Sequence, residues 1–161
     1  MVAGVNPIRP VAVKLGSQPW LPRFGKQIVT VDHTIQRVTF GRVTLLTLAG
    51  LPELVLTVRG RKSGVERNTP LLGVPHDDAW LVAGSNWGMP ELPGWARNLD
   101  AADEARVTYR GRETVVVPRR SEGSERAIHW EVLVEVWPNY EVYARRTERE
   151  IPIYVLAPYE D

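Results

Sequence analysis

Short apolar runs, bounded by glycine, proline or acidic turn residues, recur from residue 54 onward. Such runs are typical of β-strands. They lie at residues 54–58, 69–74, 80–83, 106–109, 114–117 and 151–157. Because turns separate the first three runs, we expect these strands to pair antiparallel as a meander, and the fourth and fifth to form a hairpin about Gly111.

Helical spacing is clearest at residues 122–136, where apolar positions recur every three to four residues and Pro138 follows. Ser121 or Ser124 would cap this helix. Shorter helices are predicted at 93–99 and 140–147. Strands therefore dominate this part of the chain, and helices flank them.

The first 50 residues carry a weaker pattern. Four prolines among the first 30 residues remove backbone donors, so we expect an irregular N-terminal arm or short helix over 1–31. Asp32 is placed to cap a helix over 33–40, which Gly41 would end. Residues 43–48 suit either a strand or a helix, and that choice stays open.

Length and composition indicate one globular domain spanning residues 1–161. The 43% hydrophobic and 24% charged residues exclude a disordered chain. A net charge of +1 argues against general nucleic-acid binding. The absence of cysteine excludes disulfides, thiolate nucleophiles and iron–sulfur clusters.

The N-terminus gives no sign of export. No run approaches 18 apolar residues, and Pro7 and Pro10 stand where a signal peptide needs its apolar core. We therefore expect a cytoplasmic protein.

Four cations surround the turn after the first predicted strand, against the single carboxylate of Glu66. They are Arg59, Arg61, Lys62 and Arg67. Such groups match phosphate or carboxylate oxygens, and the glycines beside Ser63 would let backbone N–H groups and its hydroxyl face the same anion. The turn therefore predicts a site for the acidic part of a ligand. A solvated, charged hairpin is the alternative.

A glycine-bounded loop over residues 84–88 follows the third run. Its glycines would let the main chain lie flat against a planar ligand while N–H groups bond ring carbonyls. Trp95 and Asn98 follow and would complete an aromatic-walled slot. An ordinary loop with Trp87 and Trp95 in the core is the alternative.

Tyr140 and Tyr143 share one face of the predicted helix at 140–147, so their phenols would line one wall and offer hydrogen bonds or a proton. A surface aromatic pair is the alternative.

The usual catalytic groupings are missing from the sequence. His33, His76 and His129 have no metal-ligand spacing, and no nucleophilic-serine motif occurs. A chain with an anion loop and an aromatic loop but no acid–base machinery suggests that a bound cofactor brings the reactivity.

Taken in order, five segments resemble the deazaflavin-dependent nitroreductase family, small reductases that use coenzyme F420. The segments are Leu56-Thr57 with Gly60-Arg61-Lys62-Ser63-Gly64, then Arg67-x-Thr69-Pro70-Leu71, then Gly84-Ser85-Asn86-Trp87-Gly88, then Trp95-x-x-Asn98-Leu99, then Tyr140 with Tyr143. The match spans about residues 54–143. Leu92-Pro93-Gly94 departs from the histidine-proline-alanine run often seen in that family.

The resemblance implies a mainly β fold, a split β-barrel with flanking helices, and an F420H2-dependent oxidoreductase. Hydride would pass from C5 of the reduced deazaflavin to an electron-poor quinone, nitroaromatic or α,β-unsaturated acceptor. The residues implied to hold the phosphate and glutamate tail are Arg61, Lys62, Ser63 and Arg67. Those implied to contact or support the ring are Pro70, Gly84, Ser85, Asn86, Trp87, Gly88, Trp95 and Asn98. Those implied to border the substrate are Tyr140, Tyr143 and Ser85.

Two alternatives to an F420 enzyme stay open: an FMN-binding split-barrel reductase and a non-catalytic flavin- or deazaflavin-binding protein. One FMN phosphate does not require four cations, so the sequence favours F420 over FMN. The expected partner is a small-molecule acceptor and not nucleic acid, since no base-stacking platform accompanies the cationic loop. Trp20, Leu21 and Phe24 leave three alternatives open: peripheral membrane contact, a homodimer, or packing on the chain's own barrel.

Overall fold

The computed structural model describes residues 6–38 and 44–160, which fall into two compact units divided after Pro52. The described part of the first unit is helical. Its elements are α1 (Ile8–Gly16), a 3-10 turn (Leu21–Phe24), α2 (Gly25–Val38) and α3 (Leu45–Leu48). None of the helices in the described ranges combines the length and the apolar character that crossing a bilayer requires.

This segment is more regular than an irregular arm. Pro10 lies in the first turn of α1, where the missing N–H costs little. The helix boundary predicted at Asp32 is wrong, because α2 already begins at Gly25. The Asp32 carboxylate instead accepts a hydrogen bond (2.8 Å) from the N–H of Leu45, the first residue of α3. Phe40 and Gly41 lie outside the described residues.

The choice left open at 43–48 resolves to a helix, α3. The side chain of Thr44 accepts a hydrogen bond from the N–H of Thr47, whose hydroxyl accepts one from the N–H of Thr44. This capping box satisfies backbone donors that a four-residue helix otherwise leaves open. Val43 lies outside the described residues.

The second unit, described over residues 53–160, has seven strands and three helices. The strands are β1 (Glu53–Arg59), β2 (Glu66–Leu72), β3 (Val74–His76), β4 (Ala79–Ala83), β5 (Ala105–Tyr109), β6 (Arg112–Arg120) and β7 (Ile153–Pro158). The helices are α4 (Gly94–Asp100), α5 (Gly123–Val136) and α6 (Asn139–Arg146). All strand pairs are antiparallel.

One glycine joins the two edge strands of the sheet, so that the sheet curls toward a barrel. The strand order is β2-β1-β5-β6-β7-β4-β3, so β2 and β3 are the two edge strands, yet only Gly73 separates them in the chain. Two Cα steps span at most about 7.6 Å, so the two edges meet at this corner. A side chain on Gly73 would overlap that of Leu54, which explains the glycine. The result is a curled sheet that opens between its edge strands away from Gly73.

The meander prediction is therefore correct for two hairpins and wrong for the link between them. β1 pairs with β2, and β3 pairs with β4, but β2 does not pair with β3. The strand predicted at 69–74 breaks at Gly73, where the chain turns from one edge of the sheet to the other. The predicted serine cap of α5 is also wrong: Glu122 occupies the N-cap position without a side-chain bond.

Two buried clusters surround the sheet. One lies under β1, β5 and α4 and includes Leu56, Val107 and Ala96. The other joins β3, β4 and β7 to α5 and α6, and it contains both Tyr140 and Tyr143. The loop after β4 lies where these clusters meet, since Leu92 packs on the first and Trp87 on the second.

Candidate functional site

The turn between β1 and β2 uses most of its own backbone donors. Gly60 donates to the carbonyl of Val65 (2.8 Å), Gly64 to that of Gly60 (2.7 Å), and Val65 to the Ser63 hydroxyl (3.2 Å). The N–H of Arg61 donates to Oδ1 of Asn98 on α4 (3.2 Å). Among the described residues, the N–H groups of Lys62 and Ser63 have no acceptor, so the predicted backbone anion site narrows to these two donors.

The cations of this turn have no carboxylate partner in the described ranges. Glu66, the local acid, is held by Arg106 of β5 at 2.9 Å. No described carboxylate lies within 4.0 Å of Arg59, Arg61, Lys62 or Arg67. An anion at this turn would therefore not have to break an ion pair first.

A pocket of about 510 Å³ opens beside the turn. Arg59 and Arg61 line it with Asn98, but Asp103 and Glu104 line it too. These carboxylates would repel a polyanion. The exposed side of the turn suits an acidic ligand better than this pocket does.

β2 presents Arg67 and Pro70 on opposite faces. Arg67 lies across from the buried Val58, and Pro70 lies across from Val55, whose side chain points away from the core. In the described sheet β2 pairs only with β1, so its other edge is free. A ligand lying along that edge would be within reach of both faces of β2, and so of Arg67 and Pro70. β2 is about 20 Å long, and the cationic turn lies at its first end.

The loop after β4 lies at the other end of β2. β4 runs antiparallel to β3, so its C-terminal end, where Gly84 begins the loop, approaches the Gly73 corner at which β2 ends. The free edge of β2 therefore runs from the cations toward this loop.

The loop has an uncommon backbone conformation. Ser85 is right-handed (φ −75°, ψ −36°), and Asn86, Trp87 and Gly88 follow with φ of 44°, 52° and 79°. Left-handed conformations at non-glycine residues cost about 1–3 kcal/mol each and persist only when their surroundings impose them. A right-handed residue followed by a left-handed one turns successive N–H groups toward one point, forming a nest that binds an anion or a carbonyl oxygen.

Three N–H groups of this nest are open. Gly84 donates to the carbonyl of Pro152 (2.9 Å) and Gly88 to that of Ser85 (2.9 Å). Between them, the N–H groups of Ser85, Asn86 and Trp87 have no acceptor among the described residues, and neither does the Ser85 hydroxyl. The loop predicted to bond ring carbonyls thus has free donors to do so.

Two arginines hold the carbonyl side of the loop, and the sequence predicts neither. The guanidinium of Arg149 donates to the carbonyls of Gly84 (3.0 Å), Ser85 (2.9 Å) and Met89 (3.1 Å). Arg146 donates to the carbonyl of Trp87 at 3.4 Å. Burial lowers the pKa of the Arg149 guanidinium. In sequence these residues stand among acids in a charged stretch, and no local pattern shows that their partners lie about 60 residues earlier.

Gly88 packs directly on α6. A Cβ at this position would lie 2.6 Å from the carbonyl oxygen of Tyr143 and 2.8 Å from Cβ of Arg146. The absence of a side chain lets the loop and the helix touch, which places the loop beside the predicted tyrosine pair.

Both tyrosines are buried, so the surface-pair alternative is wrong. Their rings meet edge to face at 6.2 Å, and burial raises the pKa of each phenol. They differ in bonding: the indole of Trp137 is hydrogen bonded to Tyr143, whereas the Tyr140 hydroxyl has no partner among the described residues. Among the described residues, every fully buried polar side-chain atom has a hydrogen-bond partner. Since the Tyr140 hydroxyl has none, it is not fully buried and stays slightly exposed to solvent.

α4 connects the two ends of the candidate site. Leu92, just before α4, lies beside Gly84, since its Cδ1 would be 3.3 Å from a Cβ at that position. On α4, Oδ1 of Asn98 accepts hydrogen bonds from the backbone N–H and the guanidinium of Arg61 (both 3.2 Å). Trp95 is half-buried and packs against Tyr154 at 5.8 Å. The segment from Leu92 to Asn98 thus links the loop to the cationic turn.

Comparison with known proteins decides the family. Residues 29–158 match the model of a family described as F420H2-dependent quinone reductase. An F420H2-dependent quinone reductase of Mycobacterium tuberculosis is 32% identical over 141 residues, which cover 85% of this chain and 95% of that protein. The chain belongs to the F420H2-dependent quinone reductase family. It is an oxidoreductase, and its cofactor is coenzyme F420, as the sequence resemblance implies.

Similar solved structures confirm the split-barrel prediction. An F420H2-dependent reductase is 31% identical, with a TM-score of 0.61 over 65% of this chain and 93% of that one. A second structure, described as a domain-swapped dimer, is 29% identical, with a TM-score of 0.63 over 78% of this chain and 96% of that one.

Proposed function

We propose that this protein binds F420H2 along the free edge of β2 and passes a hydride to a quinone or another electron-poor small molecule. One observation carries the proposal: the two ends of that edge offer complementary donors. Near the start of β2 lie cations that pair with no described carboxylate. In the loop near its end lie N–H groups that have no acceptor among the described residues.

The donor sets fit the two ends of the cofactor. F420 has a planar ring with carbonyl oxygens at one end and a phosphate with glutamates at the other. Lys62 and Arg67 would hold the acidic end, together with the free N–H of Ser63 and the proton of its hydroxyl, whose oxygen accepts a hydrogen bond from the turn's own backbone. Pro70 would contact the ring, and the nest at residues 85–87 would bond a ring carbonyl. The bound reduced cofactor supplies the hydride, and the protein supplies its orientation.

We propose Tyr140, rather than solvent or Tyr143, as the proton donor to the acceptor. The Tyr140 phenol is protonated at neutral pH, and burial raises its pKa further, so the hydroxyl offers a hydrogen bond to the acceptor and a proton in the reaction. Its lack of a partner leaves that donor free, whereas Tyr143 is bonded to Trp137 and shapes the wall behind it. The Ser85 hydroxyl would border the acceptor from the loop.

The cationic turn is tested by removing its charges. We expect Lys62→Ala with Arg67→Ala to weaken binding of oxidised F420 at least about tenfold in a fluorescence titration. The matched control removes two cations from the β5–β6 turn, Arg110→Ala with Arg112→Ala, and should leave the dissociation constant unchanged. An unchanged constant in the first variant would contradict the assignment.

The acceptor is tested by mixing the protein with F420H2 and following cofactor oxidation with menadione, with a nitroimidazole or with neither. Oxidation that depends on the acceptor supports a reductase. Tight F420 binding without oxidation would favour the non-catalytic alternative, and preferential binding of FMN would favour an FMN enzyme.

The first unit supports peripheral membrane contact, which we propose alongside the reductase activity. Residues 6–31 carry four cations and no carboxylate. Trp20 and Phe24 are 44% and 48% exposed, and their rings meet edge to face at 5.8 Å. Helices with cations and exposed aromatic residues bind anionic lipid surfaces. We expect co-sedimentation with phosphatidylglycerol vesicles but not with phosphatidylcholine vesicles. If this surface instead joins two copies, sedimentation velocity will show a dimer without lipid.

A further inference from the structure

Arg149 forms an unusual set of contacts for an arginine. It lies between α6 and β7 and donates from Nη1, Nη2 and Nε to the carbonyls of Gly84, Ser85 and Met89 at 2.9–3.1 Å. Two longer bonds of 3.4 Å reach the carbonyls of Glu91 and Glu150. No carboxylate of the described residues lies within 4.0 Å of its guanidinium.

These contacts set the direction of the free N–H groups. In a planar trans peptide, the C=O of one residue and the N–H of the next point in opposite directions. Because Arg149 holds the carbonyl of Gly84, the N–H of Ser85 points away from the guanidinium. The bond from Arg149 to the carbonyl of Ser85 likewise makes the N–H of Asn86 point away from the guanidinium. These are two of the three donors of the nest, and both lack an acceptor in the described chain.

The bonds also strengthen those donors. A cation at a peptide carbonyl polarises the peptide, and hydrogen bonds in series reinforce one another. The guanidinium offers each of the two carbonyls its own N–H from a rigid planar group, which the point charge of a lysine does not do.

We propose that Arg149 is a positioning residue that binds the carbonyls of Gly84 and Ser85 from behind and so aims the N–H groups of Ser85 and Asn86 at the ring of the bound deazaflavin. The proposal rests on the proposed function. It assigns Arg149 to the ring end of the cofactor, whereas Lys62 and Arg67 act on the acidic end.

The test uses two ligands, which distinguish binding of the ring from binding of the acidic end of the cofactor. They are oxidised F420 and the same deazaflavin without its phosphate and glutamates. Dissociation constants are measured by fluorescence titration for Arg149→Lys, Arg149→Met and the Lys62→Ala/Arg67→Ala protein. Arg126→Met is the matched control, since Arg126 also donates to a backbone carbonyl, that of Ile151 (2.8 Å), but not to the loop.

We expect both Arg149 variants to weaken binding of both ligands by the same factor, at least about tenfold. Arg126→Met should bind both as wild type does, and the Lys62/Arg67 variant should lose affinity for F420 alone. Folded Arg149 variants that bind the truncated deazaflavin with wild-type affinity would overturn the proposal and leave the proposed function intact. A wild-type protein that binds neither ligand would overturn the proposed function.

Amide hydrogen exchange on the wild-type protein keeps the proposal testable if both Arg149 variants fail to fold. On binding of the truncated deazaflavin, the amides of Ser85 and Asn86 should gain protection, and those of Lys62 and Ser63 should not. Unchanged exchange at Ser85 and Asn86 would overturn the proposal.

Discussion

Individual side chains in the candidate site differ most in whether their polar atoms already have partners. Tyr140 and Tyr143 have similar burial, but only Tyr143 is hydrogen bonded to Trp137. The cations of the β1–β2 turn are likewise separated from their neighbour Glu66, which Arg106 holds. Groups without partners are the ones available to cofactor and substrate.

Tyr140→Phe removes the free hydroxyl and keeps the ring that packs on Trp130 and Tyr143. We expect kcat for the acceptor to fall by at least about tenfold, since a positioned proton donor contributes roughly 10²–10⁴. The dissociation constant for F420 should stay unchanged. Tyr109→Phe, on β5, is the control and should keep wild-type kcat. Wild-type turnover by Tyr140→Phe would mean that solvent provides the proton.

Sequence patterns pointed to the candidate-site residues that lie close together in the chain. The cations lie within nine residues of one another, and the glycines of the loop at 84–88 mark its turn directly. Arg149 was beyond reach because its three short bonds go to residues 60–65 positions earlier. Only the folded sheet brings β4 and the segment before β7 side by side.

Among the secondary-structure elements, the loop after β4 and α6 are in direct contact, and this contact fixes where the loop lies relative to the tyrosines. Gly88 has φ 79° and touches the backbone of Tyr143, so two constraints meet at one residue. The strands were predictable because each is a short apolar run ended by a turn residue. The cap prediction at Asp32 failed because its carboxylate binds the N–H of Leu45, 13 residues later, and not the helix that follows it. The strand break at Gly73 was missed because apolar residues flank this glycine on both sides.

Gly88→Ala tests the loop–helix contact. A Cβ there meets the Tyr143 carbonyl at 2.6 Å in a left-handed conformation, so we expect the free energy of unfolding in urea to fall by about 2–4 kcal/mol. Gly111→Ala is the matched control, because Gly111 has φ 78° and open space around it. It should lose only about 1–2 kcal/mol. Equal losses in the two variants would show that contact with α6 contributes nothing.

α5 carries a buried imidazole that makes stability depend on pH. His129 is 6% exposed, and its Nδ1 lies 2.8 Å from the Ser121 hydroxyl. Burial lowers the pKa of His129, so the unfolded chain binds the proton more tightly than the folded one. The charged or titratable groups facing it are Glu125, His76, Arg119 and Asp77.

The stability from neutral His129 is therefore complete above pH about 6.5, the ordinary value for histidine, and is lost as pH falls. We expect the urea midpoint of the wild-type protein to drop more between pH 7.5 and pH 5.5 than that of His129→Gln. Asp100 and Glu125 have lowered pKa values and act at lower pH. Parallel pH profiles for wild type and His129→Gln would refute this role.

Across the whole second unit, the sheet order places all parts of the candidate site. Because Gly73 joins the two edge strands, the free edge of β2 ends near the loop after β4, and α4 binds the β1–β2 turn through Asn98. The antiparallel, strand-dominated class was predictable from the apolar runs. The strand order was not, because pairing of β1 with β5 joins residues 49–53 positions apart, and pairing of β4 with β7 joins residues 70–76 positions apart.

The proposed F420 site joins the cations that pair with no described carboxylate and the free N–H groups at the two ends of β2. Calorimetric titration of the wild-type protein with oxidised F420, and separately with FMN, measures this binding. We predict saturable binding of F420, with FMN weaker by at least about tenfold because it lacks the glutamate tail. No heat of binding with F420 at concentrations approaching millimolar, or equal affinity for FMN, would show that these groups do not bind the cofactor in this way.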